Sequence, residues 1–367
     1  MNHEPVRIER STGQYFAATL IVFLFCSPLI FLFISGVKPT SPFQSETLTV
    51  FSFTVLQAAL SALLAICLGV LGAYGLAAAE IRFGRMNGKL LGAVAVLPNV
   101  APVLLFLLAV LKFLPMLRGL TGIIIVHALL NIGLVSASVT RLFREKVAAL
   151  ADLAWIEGTS RLKFAFKVVW PTLRADLFTI FAFVFAICFS SLAVPLVLGG
   201  SRATTTEVLI WQRIRIDGDF SSGLGLAFLQ LASILTLTFL LRRKTETSRT
   251  SESRIAQPLL ASLWGLPVAL FPACLLVASM FDRPWVGAMQ FFDQDVLAGE
   301  LVRGFLGSLV IALATGLVVA AILLKIAYVD PRGAWRKFLL GYVAPSSVIT
   351  GFSVLMIWRE TGVATYF

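Results

Sequence analysis

Long apolar runs, separated by short polar stretches, dominate this chain of 367 residues. A helix that crosses a membrane needs about 20 mostly apolar residues. On that measure spans are expected near residues 15–36, 50–79, 90–111, 119–140, 177–200, 223–241, 258–281, 303–328 and 338–358. Barrel strands would alternate apolar and polar positions over about 10 residues, and no such alternation runs along the chain. An open sheet could not satisfy its backbone in lipid, so the runs read as helices. The expected fold class is an all-α polytopic membrane protein of about nine transmembrane helices. The first run follows "MNHEPVRIERSTGQY" and is about 20 residues long, too long for the core of a cleaved signal peptide. It is read as a retained span.

Composition agrees with this class. The chain is 58% hydrophobic and 13% charged, with a mean hydropathy of +0.92. The net charge of +11 would suit a nucleic-acid binder. Its location argues otherwise, because the basic residues sit in short loops between apolar runs, where they set orientation. One set of alternate loops is rich in them: Arg7 and Arg10; Arg82, Arg85 and Lys89; the stretch from Arg141 to Arg174; the stretch from Arg242 to Arg254; and Arg332, Arg336 and Lys337. The opposite loops have fewer, offset by acids such as Asp217, Asp219, Asp293 and Asp295. The first set, with the N-terminus, is expected to face the cytoplasm.

The polar stretch "RRKTETSRTSESR" divides the chain. It forms the core of a linker, 242–257, between a six-span module, 1–241, and a partial module of three spans, 258–367. The two halves share an order of features. "LQAALSALLAICLGV" starts at Leu56 and "LGSLVIALATGLVVA" at Leu306. Each leads to a basic turn and then to a span holding a proline, Pro98 or Pro345. Such order suggests a repeated membrane module. On that reading the second module is incomplete. The expectation is a longer natural chain, a truncated product, or pairing of two copies through the first module.

A polar segment, 143–174, lies between the fourth and fifth spans. "EKVAALADLAWIE" favours a helix, Gly158 suits the left-handed position that ends one, and Thr159 or Ser160 can cap a second helix, "RLKFAFKVVW". Pro171 is expected to stop or redirect that second helix. Arg161, Lys163 and Lys167 alternate with Leu162, Phe164, Phe166 and Val168, as on an interfacial helix. Physics alone leaves two readings open: a docking site for another protein, or an amphipathic loop held by anionic lipid.

These residues resemble a known signature. Permeases of binding-protein-dependent ABC importers carry Glu-Ala-Ala, three residues, Gly, and a proline thirteen residues later. Here Asp152, Leu153 and Ala154 stand at the first three positions, followed by Gly158 and Pro171. The acid is shortened, and leucine replaces the first alanine. "GLTGIIIVHALLNIGLVSASVTRLF" (119–143) and "CFSSLAVPLVLGGSRATTTEVLIWQ" (188–212) are similar to the thiamine and iron(III) branch of that family. The resemblance implies a type I importer helix bundle in a bacterial inner (plasma) membrane. It implies that Asp152, Leu153, Ala154 and Gly158 dock onto an ABC ATPase subunit and that Pro171 orients the next helix. The implied partners are those ATPase subunits, a periplasmic or extracellular substrate-binding protein and a small-molecule solute. Thiamine is expected, with iron(III) as the alternative.

Other residues have two readings each. His127 and Asn131 share a face of the fourth span, where they could line a translocation path or form an interhelical hydrogen bond. Pro98, Asn99 and Pro102 break the third span, either beside that path or as a packing kink. In the outer segment 199–220, Arg202, Glu207, Arg213 and Arg215 could touch a binding protein or lie in a solvated loop. Cys26, Cys67, Cys188 and Cys274 lie in apolar runs without disulfide or metal spacing, and His3 and His127 are the only two histidines. No metal site or cofactor is expected. There is no GxxxxGK[ST], so any ATP hydrolysis belongs to a partner and the chain is not expected to be an enzyme. A polytopic membrane enzyme is the competing class. It would need clustered ionisable groups, whereas Glu145, Asp152, Glu157 and Asp176 fall within the docking-like region without a paired base.

Overall fold

The computed structural model describes residues 38–42, 45–200, 203–240, 255 and 258–281, with single positions at 34 and 299 and scattered ones between 302 and 324. The chain separates into two compact units. One joins Met1–Thr40 to Arg283–Phe367. Its described positions at 34, at 299 and between 302 and 324 are helical. The expected spans 15–36 and 338–358 and most of the linker 242–257 lie outside the described residues, and the span 303–328 is described only in part.

The other unit, Ser41–Asp282, is a helix bundle. Its helices are α1 (Ser45–Phe83), α2 (Arg85–Val100), α3 (Val103–Phe113), α4 (Gly119–Leu142), α5 (Ala148–Ile156), α6 (Arg161–Phe164), α7 (Trp170–Phe189), α8 (Ala193–Leu198), α9 (Thr206–Arg215), α10 (Phe220–Leu240) and α11 (Gly265–Met280). No strand occurs among the described residues. Four described helices are long and apolar enough to cross a membrane: Ser45–Phe83, Gly119–Ile156, Arg161–Phe189 and Phe220–Leu237. The protein is an all-α, multi-pass membrane protein.

Two expected spans take a different form. The run 90–111 is not one rod: α2 and α3 meet at a bend of 95°. Pro98 lies inside α2, and Pro102 stands at the N-terminus of α3, so two amide donors are missing around the elbow. The run 177–200 starts earlier, at Trp170, and breaks after Phe189. Pro195, in the first turn of α8, cannot bond back to Ser191, so the helix restarts there instead of continuing.

Small residues let the long helices approach. α1 packs on α4, α7, α2 and α11. A Cβ added at Gly69 would meet Val135, and one at Gly72 would meet the Ser136 hydroxyl. One residue further along this seam, Thr140 donates to the Ala73 carbonyl at 3.3 Å. Gly133 of α4 lies directly against the Ala95 carbonyl of α2. α11 crosses α1 where Gly265 meets the Leu71 carbonyl and Gly75 meets the backbone of Leu266. The compact unit Ser41–Asp282 thus includes α11, which packs on α1. An apolar layer joins α3 (Phe106, Val110), α4 (Ile123, Val126), α8 (Val194, Leu198) and α11 (Leu275, Leu276). α9 is held by α1: the Thr206 amide donates to Thr54 Oγ1 at 2.8 Å.

Gly133→Leu is expected to destabilise the bundle by about 1–3 kcal/mol, because the neighbour is backbone and cannot rotate aside. A lower thermal midpoint of the detergent-solubilised protein checks this. Gly92→Ala is the control, since its Cβ would meet only Leu76 Cδ1 at 3.9 Å.

Candidate functional site

The sequence-predicted residues fall in three places: a helical hairpin at one end of the bundle, a polar seam in its middle, and the segment before α10. The hairpin grows out of two membrane helices without interruption. α4 continues through a π-helical turn, Phe143–Val147, into α5, and together they form one helix from Gly119 to Ile156. The descending helix ends at a Schellman motif. Gly158 has φ +67°, its amide donates to the Trp155 carbonyl at 3.0 Å, and the Thr159 amide donates to the Ala154 carbonyl at 3.0 Å. Ser160 then precedes α6, without a side-chain capping bond. The Ser160 carbonyl instead accepts from the Phe164 amide at 2.9 Å.

Pro171 does not end the second helix. A second π-helical turn, Ala165–Val169, runs directly into α7, and Pro171 sits in the first turn of α7 within a continuous helix, Arg161–Phe189. The wider turn displaces the carbonyls that a regular helix would aim at the proline ring, so the missing N–H is tolerated. The hairpin has two faces. Ala148, Ala151, Ala154 and Phe164 are buried. α5 and α6 also pack against the short 3-10 turn Pro258–Leu260, whose Leu259 and Leu260 are buried. Ala154, expected on a docking surface, is buried here. Asp152 is half-buried, whereas Leu153 and Gly158 are exposed. Trp155, Ile156, Leu162 and Phe166 are exposed beside them. Their crowding into one polar segment was the sequence signal for a second, apolar contact surface.

Ion pairs fix the base of the hairpin. Arg144 Nε donates to Glu80 Oε2 of α1 at 3.0 Å, and Lys146 Nζ reaches both oxygens of Asp176 on α7 at 2.7 and 2.8 Å. Arg141 donates to Glu145 at 2.6 Å on the exposed side.

The polar seam crosses four helices. Asn99 Nδ2 of α2 donates to Asn131 Oδ1 of α4 at 3.2 Å and to the Leu130 carbonyl at 3.2 Å. Asn131 Nδ2 donates to the His127 carbonyl at 2.8 Å and lies 3.8 Å from Cys188 Sγ of α7. Gln57 Nε2 of α1 donates to the Cys188 carbonyl at 3.2 Å. Asn99, His127 and Asn131 are thus brought together, with Pro98 one residue before Asn99. Gln57 and Cys188 extend the seam beyond the sequence reading. An isolated amide inside a span was the available signal for Gln57. Both ring nitrogens of His127, Gln57 Oε1 and Ser190 Oγ are buried without a hydrogen-bond partner among the described residues.

The third group is divided. Arg202 lies outside the described residues. Glu207, expected at a binding-protein contact, is fully buried in the first turn of α9. Its carboxylate lies at the positive end of the α9 dipole, which favours that position. Arg213 pairs with Glu46 at 3.7 Å and with Asp217 at 3.5 Å, while Arg215 is exposed. Asp219 accepts from the Ser222 amide at 3.0 Å, and the Ser222 bonds hold its carboxyl below the usual range. Among the described residues no group of three or more His, Cys, Asp or Glu side chains gathers as a metal site.

No family model matches the chain. Over 257 residues it is 31% identical to the thiamine transport system permease protein ThiP of Brucella abortus (strain 2308), a match covering 63% of this chain and 45% of that protein. The chain resembles thiamine transport permeases. ThiP of Escherichia coli (strain K12) is 33% identical over 126 residues, 34% of this chain and 24% of that one. The sulfoquinovosyl glycerol transport system permease protein SmoH of Agrobacterium fabrum (strain C58 / ATCC 33970) is 31% identical over 145 residues, 39% of this chain and 50% of that one. The chain spans less than half the length of the ThiP proteins it matches.

The turn at Gly158 generates one expectation. A Cβ there meets nothing within 4 Å, so any strain comes from the backbone conformation alone. Gly158→Val should cost about 1–3 kcal/mol at the hairpin tip, and Gly158→Asn less. Faster tryptic cleavage at Arg161 and Lys163 in the valine variant checks the order.

Proposed function

We propose that this chain is a transmembrane permease subunit of a binding-protein-dependent ABC importer, with thiamine as its solute. The hairpin 143–174 carries the reading. Asp152 and Gly158 lie just before and at the turn of this hairpin, beside the exposed Trp155 and Ile156, and Pro171 lies further on, in the first turn of α7. Similarity to thiamine permeases from Brucella and Escherichia supports the solute. On this reading the N-terminus and the hairpin face the cytoplasm of a bacterium, and the bundle lies in its inner membrane. An ATPase pair binds the hairpin tip, and ATP-driven closure of that pair switches the bundle between outward and inward access. A ligand drives such a switch only by favouring one state over the other.

The other sites take roles in the same scheme. Asn99, His127 and Asn131, with Gln57 and Cys188, line or gate the solute path beside the elbow at Pro98 and Pro102. Arg213 and Arg215 face the substrate-binding protein. The chain combines a six-span module, the linker 242–257 and a second module from 258, and the second docking segment comes from a further module or a second copy. ATP hydrolysis belongs to the partner, which makes this chain a non-enzymatic subunit.

Two measurements test the reading. Leu153→Asp should leave folding intact, because the side chain is already 61% exposed. It should weaken ATPase binding by about 2 kcal/mol, roughly thirtyfold, as expected for a central contact residue. Co-purification of the ATPase, and its stimulation by the permease, read this out. Undiminished binding would remove the tip from the interface. For the solute, a strain unable to make thiamine and lacking this protein should need more thiamine in the medium. Unchanged demand together with lost iron uptake would assign the chain to iron(III).

A further inference from the structure

The ion pair at the base of the hairpin differs from its neighbours. Arg144 and Glu80 have side-chain exposures of 10% and 1%, against 32% and 20% for Lys146 and Asp176 and 70% and 24% for Arg141 and Glu145. Water and salt screen the exposed pairs, but the enclosed one interacts at low effective dielectric. α2 packs closely against the root of this side chain: a Cβ at Gly88 would lie 2.8 Å from Glu80 Cβ. The pair is incompletely satisfied, since Glu80 Oε1 has no hydrogen-bond partner among the described residues. A buried pair with an unmet acceptor is a poor source of net stability. Its geometry suits it better to fixing one element against another.

We propose that Glu80–Arg144 is a positioning latch that ties the docking hairpin to α1, so that displacement of the hairpin tip moves α1 and through it the polar seam. The inference rests on the hairpin being a docking element. Arg144 lies in the π-helical turn, and from there to Ile156 the chain is a continuous helical rod of about 18 Å. Such turns recur where helices serve function, because they shift the facing of the residues that follow. Glu80 lies in the last turn of α1, the helix that also carries Gln57 and Thr54. Gln57 bonds the Cys188 carbonyl within the seam, and Thr54 holds the start of α9. A rigid helix fastened at one end to the hairpin and at the other to α9 passes a push along its length. Lys146–Asp176 makes a parallel tie to α7, but with more solvent exposure.

The test uses the full natural chain with its exposed cysteines, Cys67 and Cys274 among them, replaced by alanine and the buried Cys188 kept. Spin labels are placed at Ile81→Cys on α1 and Ile156→Cys on the hairpin, both exposed. In lipid nanodiscs the parent should give one narrow distance distribution. Glu80→Gln and Arg144→Gln should broaden it, and the exchanged pair E80R/R144E should narrow it again. With the ATPase and binding protein added in liposomes, thiamine moved per ATP hydrolysed should fall about tenfold in the single variants, the size of coupling change that contacts of this kind produce. Hydrolysis itself should continue. A purely structural role would instead lower transport and hydrolysis together. Should a single variant fail to fold, E80Q/R144Q, which buries no unpaired charge, carries the same expectation. Distances as narrow in the variants as in the parent would overturn the latch. A parent that binds no ATPase would overturn the docking reading instead, and the nanodisc distances would still decide whether the pair holds the hairpin.

Discussion

The close approach of α1 and α4 is the contact on which the rest of the bundle is built. In lipid there is no hydrophobic gain from bringing two apolar helices together, so association depends on packing and on hydrogen bonds between them. Gly69, Gly72 and Ala73 on α1 remove side-chain bulk facing Val135, Ser136 and Thr140 of α4. Backbone then meets side chain directly, and Thr140 can reach across to a carbonyl. α2 is set by the same means through Gly133, and α11 through Gly75 and Gly265. The hairpin inherits its direction from this packing, because α5 continues α4 as one helix, and the Pro258–Leu260 turn and the ion pairs at its base add further support.

Much of this was legible in the sequence, for identifiable reasons. Span positions follow from length and apolarity, which is why α1, α4 and α10 fell near their expected places. Gly158 was legible because a left-handed terminator has one residue type that suits it well. The elbow between α2 and α3 followed from Pro98 and Pro102. The continuity of the hairpin did not. Pro171 ordinarily marks a helix break, and only the preceding π-helical turn, which has no sequence rule, accommodates it. Ala154 and Glu207 show a second limit. Polarity or membership of a motif says nothing about which side of a helix faces the protein's own interior. The Glu80–Arg144 pair was hidden for a third reason: its partners are distant in the chain, and each by itself reads as an ordinary loop charge.

The polar seam and the hairpin base share a design. Each joins several helices through a few side chains, and each leaves an acceptor or donor unmet among the described residues, as at Glu80 Oε1, Gln57 Oε1 and His127. Buried polar groups without partners are uncommon where the only task is to hold a fold together. The apolar layer of Phe106, Val110, Ile123 and Leu276 supplies cohesion, while the polar contacts set how the helices are registered against one another.

The elbow between α2 and α3 also bears on the lipid. At 16 and 11 residues, its arms are about 24 Å and about 17 Å long, and neither alone matches a hydrocarbon layer of about 30 Å. Val100, Leu104 and Leu108 are exposed around the turn. Acyl chains beside them meet a protein wall that changes direction part-way, and they must shorten or splay to cover it. A bilayer that thins at this flank would cover the bend with less mismatch than one of full thickness.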